Sequence, residues 1–124
     1  MKSYDAGPTS PPILEETIGE NFERTVAANP DGEALVDFAQ NRRWTYAELN
    51  AEIDLTARGL MSLGVQQRDR VGIWSPNCAE WIIVQYATAK IGAILVNINP
   101  AYRTHELGYE IGRASCRERV LMPV

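Results

Sequence analysis

The sequence predicts an α/β domain with a small antiparallel hairpin near its N-terminus. Three observations carry that prediction. Two short apolar runs, Arg70-Val71-Gly72-Ile73-Trp74-Ser75 and Ala93-Ile94-Leu95-Val96-Asn97, flank a helical segment. This makes a βαβ unit over about 70–97, with parallel strands and a right-handed crossover. Both runs are nearly continuous rather than alternating, as in buried strands covered on both faces. Upstream, a hydroxyl residue is twice followed three positions later by a carboxylate, the pattern that satisfies orphan N–H groups at a helix start.

Taken in order, residues 1–16 read as an extended arm, because Gly7-Pro8-Thr9-Ser10-Pro11-Pro12 cannot enter a helix or a central strand. Ile13 and Leu14 are its expected anchors on a surface. Thr17-Ile18-Gly19-Glu20 opens the first helix, with Ile18, Phe22 and Val26 on its buried face, and Asn29-Pro30-Asp31-Gly32 ends it. Glu33 to Phe38 reads as a strand, returning through Arg43-Trp44-Thr45. Thr45-Tyr46-Ala47-Glu48 opens the longest helix, whose buried stripe is Leu49, Ile53, Ala57 and Leu60, with Leu63 at its end and Gly64 as its stop. Asn77 with Glu80 starts the crossover helix, and Gly92 stops it. Asn99-Pro100-Ala101-Tyr102-Arg103 is a loop, and Thr104 caps a last helix through Glu106, Leu107 and Tyr109.

Composition narrows the function. The chain has 124 residues, 45% hydrophobic and 23% charged, the balance of a globular domain. Its net charge of -4 argues against a nucleic-acid partner, which usually meets a clustered cationic face. No run reaches the roughly 18–20 apolar residues of a membrane-spanning helix. The N-terminus has no secretory pattern, and two cysteines make neither a disulfide framework nor a metal site, so a reducing, cytoplasmic setting is expected.

No glycine-rich phosphate loop can be assembled from Gly59, Gly64 and Gly72. His105 reads as a solvated residue in a first helical turn, and Cys78 as a small half-buried residue at a helix start. Glu15-Glu16 reads as linker, and Glu48, Glu52 and Asp54 as a solvated helix face rather than an acid–base pair across a cleft. Trp44, Trp74 and Trp81 read as core or interface aromatics. The residues alone assign no reaction, and no catalytic, cofactor-binding or metal-ligating residue is named.

The order of features is nonetheless specific. Trp44-Thr45-Tyr46-Ala47-Glu48-Leu49 leads to Leu63-Gly64-Val65, then Asp69 to Trp74, Pro76-Asn77-Cys78-Ala79-Glu80-Trp81, and Gly92-Ala93-Ile94-Leu95-Val96-Asn97-Ile98-Asn99-Pro100. This resembles the N-terminal start of the adenylate-forming (AMP-binding) acyl-CoA synthetases, and Gln85 to Leu107 is especially similar to the fatty-acid–CoA ligase branch. On that resemblance 17–110 is part of the large N-terminal domain of the adenylate-forming fold. The resemblance implies ATP, Mg²⁺ and CoA as cofactors and a fatty acid as substrate. A carboxylate attacks the α-phosphate of ATP, and the CoA thiol then displaces AMP. The family grips nucleotide with a Ser/Thr/Gly-rich loop ending in Pro-Lys, later acidic and aromatic motifs, and a lysine in a mobile C-terminal domain. None of these stands in this sequence, so the chain is expected to bind no cofactor and to be inactive alone. Pro76-Asn77 and Asn97-Ile98-Asn99-Pro100 match positions at the C-terminal strand ends, the edge that faces ligand in open α/β sheets; here they read as turn formers. An aryl-acid or amino-acid adenylating enzyme is one alternative, and a standalone α/β binding module using the Asn97–Arg103 loop is another.

From Glu110 to Val120 the string Glu-Ile-Gly-Arg-Ala-Ser-Cys-Arg-Glu-Arg-Val looks like the in-frame translation of a common sequencing adapter. Residues 111–124 are therefore read as a non-native tail, with no apolar strand in it. Without them the net charge becomes -6 and one cysteine remains.

Overall fold

In the computed structural model, which describes residues 5–8, 10–113 and 118–121, two helices begin where the capping boxes stand. α1 spans Ile18–Ala28 and α2 spans Tyr46–Ser62. Thr17 Oγ1 accepts from the Glu20 N–H at 3.2 Å, and the Glu20 carboxylate accepts from the Thr17 N–H at 2.7 Å. Thr45 and Glu48 repeat the exchange at 3.2 and 2.8 Å. Each box satisfies two donors that a helix start leaves without partners. At its other end α2 closes through Val65 N–H to Leu60 O at 3.1 Å and Gly64 N–H to Met61 O at 2.9 Å. Gly64 stands at φ 85°, the left-handed geometry of a Schellman closure.

The hairpin is β1 (Glu33–Asp37) against β2 (Arg42–Thr45), antiparallel, with a register shift between Glu33 and Leu35. β3 (Arg70–Trp74), α3 (Ala79–Ile91) and β4 (Ile94–Ile98) form the expected unit, with the two strands parallel. α4 spans Thr104–Arg113, and β5 (Glu118–Leu121) pairs parallel with the other edge of β3. The sheet order is β4-β3-β5. α2 and α3 pack together, with α1 across both. The core joins Phe22, Trp44, Leu49, Ile53, Ile83 and Val71, so it ties the hairpin and the three helices to the central strand. Leu49, Ile53, Ala57 and Leu60 are all buried, and β3 is covered on both faces, with Val71 and Ile73 buried on one and Gly72 on the other.

Several expectations are corrected. Ile13 and Leu14 do not anchor the arm; both are exposed. The arm is held instead by Glu16, whose carboxylate accepts from Arg24 and Asn21. Ile18 is exposed and Gly19 buried in its place. α1 turns its glycine toward Lys90, where an added Cβ would stand 3.4 Å from Lys90 Cγ and 3.5 Å from its Cα, ordinary contact distances. Phe38 lies in the hairpin turn, and Leu63 lies past the last turn of α2; both are exposed. The α3 cap is Cys78 rather than Asn77, because the turn after β3 runs one residue longer, and Cys78 makes no side-chain cap bond. The residue before α4 is Arg103, whose N–H is taken by the Glu106 carboxylate at 3.2 Å, so Thr104 is already helical. β4 is not a fully buried strand. It lies at one edge of the sheet, with Ile94 and Asn97 exposed and Ile98 buried. A strand also follows residue 110. Ladder pairing is a backbone interaction, and the second edge of β3 accepts Glu118–Leu121 without requiring an apolar sequence.

Candidate functional site

The parallel register brings two turn-forming segments together at one end of the sheet. Trp74 pairs with Ile98, so the chain leaves β3 and β4 side by side, through Ser75-Pro76-Asn77 and Asn99-Pro100. The two motifs named from the sequence thus come together at the C-terminal edge of the sheet. Their side chains are occupied in building turns. Ser75 is buried, donating from Oγ to Pro76 O at 2.9 Å and lying 3.4 Å from Cys78 Sγ. Asn99 Oδ1 accepts from the Ala101 N–H at 3.0 Å, and Asn99 O from the Tyr102 N–H at 3.0 Å, a local turn that orients the loop after β4. Asn77, Asn97 and Pro100 are exposed.

The hairpin is clamped to this edge by Arg42. Its guanidinium donates to Glu80 at 2.6 Å in the first turn of α3 and stacks 4.5 Å from the Trp44 ring centroid. The Glu80 carboxyl is held below the usual carboxylate range by its own backbone N–H, with Arg42 adding to the effect against a partial desolvation. A negative charge there also complements the helix N-terminus. Between β1 and the start of α3 lies a cleft of about 240 Å³, lined by Leu35, Val36, Asp37, Phe38, Asn77 and Ala79 among others.

The most occupied polar centre lies elsewhere and was not singled out from the sequence. Lys90, with its side chain 10% exposed, donates to Asp54 at 2.7 Å and Asn50 at 2.8 Å, and pairs with Glu23 at 3.0 Å. It therefore ties α3 to α2 and α1. Burial pulls its pKa down, but the bonds from Asp54 and Glu23 outweigh that and leave it raised. Only half of this centre is visible in sequence: Asn50 and Asp54 are four apart and share a helix face, while their meeting with Lys90 is not. Asp54 stays on the solvated face, its side chain 44% exposed, while it ties to Lys90, and Glu48 is exposed and closes the α2 capping box as the sequence predicts.

His105 is exposed on α4, and Cys78 is a free thiol whose neighbour is Ser75, not an imidazole. Among the described residues no group of three or more His, Cys, Asp or Glu is placed to hold a metal ion. Among the described residues no helix is long and apolar enough to cross a membrane. Chemically, the described residues offer a framed strand-end edge and shaped turns.

Comparison with known proteins is consistent with that geometry. A family model described as AMP-binding enzyme matches residues 22–121. The medium-chain acyl-CoA ligase ACSF2, mitochondrial, of Macaca fascicularis is 43% identical over 118 residues, covering 95% of this chain and 19% of that protein. The solved Mycobacterium tuberculosis fatty acyl CoA synthetase superposes with a TM-score of 0.81 at 29% identity, over 86% of this chain and 21% of that one. The N-terminal domain of FACL13 from the same organism superposes equally well, with 27% of its length covered. The chain thus spans about a fifth of the full-length relatives it matches.

Proposed function

Since this chain belongs to the AMP-binding enzyme family, we propose that it forms part of the N-terminal domain of a fatty-acid–CoA ligase. The proposed reaction is activation of a carboxylic acid by ATP to an acyl-adenylate with release of pyrophosphate, followed by thioester formation with CoA. The observation that carries this reading is the 43% identity over 118 residues with a medium-chain acyl-CoA ligase. Within that enzyme these residues act as scaffold. β3 and β4 present two turns at the ligand-facing edge, and Arg42 and Lys90 fix the hairpin and helices behind them. Among the described residues no group of three or more His, Cys, Asp or Glu is placed to hold a metal ion, and no step is routed through Mg²⁺ here. The action is proposed to occur in a reducing, cytoplasmic compartment, supported by the free Cys78 thiol.

The test is fatty-acid-dependent ATP–pyrophosphate exchange by a longer protein carrying these residues, with residues 1–124 alone as the comparison. Exchange by the longer protein only is expected. Stimulation by aryl or amino acids instead of fatty acids would assign the sibling ligases, and exchange by 1–124 alone would defeat the scaffold reading. We further propose that 111–124 is non-native, supported by the adapter-like string from Glu110 to Val120. Source DNA in which those codons run on from residue 110 would overturn it.

A further inference from the structure

We propose that the N-terminal arm is a strap that closes over an aromatic groove of its own domain, with Ile13 and Leu14 as its anchors. The groove, about 350 Å³, lies where α1, β1, α2 and α3 meet. Its walls are Phe22, Tyr46, Tyr86, Leu35 and Ile82, and Gln85 stands at its exposed rim. The Phe22 and Tyr86 rings lie tilted by 36° with centroids 4.5 Å apart, and the Tyr46 ring stands 6.4 Å from Phe22. That size and lining suit aliphatic side chains.

The occupant is named by continuity. A second, smaller hollow of about 210 Å³ shares Asn21 and Tyr86 with the groove and is already lined by Leu14 and Ile18. The arm is pinned at that point: Glu16 accepts from Asn21 at 2.6 Å and from Arg24 at 2.6 Å. Asn21 is thus both the tether of the arm and a wall of the groove. Just before the tether, Ile13 is 92% exposed and Leu14 65% exposed. Two adjacent aliphatic residues in water gain by burial against the Phe22, Leu35 and Ile82 walls of the hollow, which Asn21, Thr25 and Gln85 also line. The reach suffices, since the three residues from Glu16 back to Ile13 span up to about 10 Å when extended. Pro11 and Pro12 stiffen the approach and lower the entropy lost on closing.

Disulfide trapping tests the closed position. In a Cys78→Ser, Cys116→Ser chain, Ile13→Cys is paired with Gln85→Cys at the groove rim, or with Met61→Cys as the comparison. Met61 is exposed and about 22 Å along α2 from Tyr46, at 1.5 Å per residue. Under mild oxidant the groove pair should close within one chain at least about tenfold faster, because a bridge needs Cα atoms within roughly 7 Å. Equal rates, or cross-links only between chains, would overturn the strap; the second result would assign the groove to the arm of another copy. Separately, Ile13→Asp with Leu14→Asp should raise the fluorescence of an apolar dye at least about twofold by uncovering the aromatic walls. Unchanged dye binding would also refute it.

Discussion

Replacing Lys90 by Met removes the charge that holds three helices together while keeping most of the side-chain volume. The lysine side chain is 10% exposed and meets Asp54 at 2.7 Å, Asn50 at 2.8 Å and Glu23 at 3.0 Å. Breaking a fully buried pair from one side costs about 3–5 kcal/mol, mostly as the desolvated charge left behind. Here the partners are 44% and 60% exposed and recover water, which lowers the expectation to about 2 kcal/mol, in line with bonds to charged groups. At this chain length that corresponds to a fall in Tm of roughly 6–10 °C. The assay is urea unfolding followed by tryptophan fluorescence at pH 7, repeated at higher pH and combined with Asp54→Asn. Because the folded-state pKa of Lys90 is raised above its ordinary 10.5, its contribution is fully present below 10.5 and disappears as pH climbs through the folded value. The gap between wild type and Lys90→Met should therefore hold at neutral pH and narrow above about 10.5. The two substitutions should be coupled by about 1 kcal/mol. A loss under about 0.5 kcal/mol, or strict additivity, would refute the account of Lys90 as the helix tie.

Three further substitutions probe local devices. Thr45→Ala should cost about 1 kcal/mol by removing the hydroxyl half of the α2 capping box, and Thr45→Ser should restore most of it in the same assay. The Glu48 carboxyl is held below its ordinary 4.5 by the Thr45 N–H and hydroxyl, so its contribution is present above 4.5 and lost as pH falls; the Thr45→Ala deficit should shrink in acid. Gly92→Ala should cost about 1–2 kcal/mol, because φ is +70° and a Cβ would stand 2.9 Å from Gln67 Cγ; circular dichroism melts that match wild type would contradict this. Arg42→Met should lose about 1 kcal/mol and shift Trp44 emission, since it breaks the half-exposed Glu80 pair and the ring contact together; unchanged emission would count against the clamp.

The local elements were legible in the sequence. Capping boxes at Thr17 and Thr45, glycine stops at Gly64 and Gly92, and the strand–helix–strand order of 70–97 all rest on contacts within a few residues, so their signals lie within short windows. The family was legible for the same reason, as an ordered series of such windows. Tertiary structure alone decided the rest. Lys90 meets Asn50 and Asp54 across 40 and 36 positions, and Arg42 meets Glu80 across 38. No periodicity links residues so far apart. It also decided which strand lies at the sheet edge, that Gly19 rather than Ile18 faces inward, and that residues 118–121 pair with β3. Burial and strand pairing depend on what stands opposite a residue in space, and a side chain's own neighbours in sequence do not contain that information.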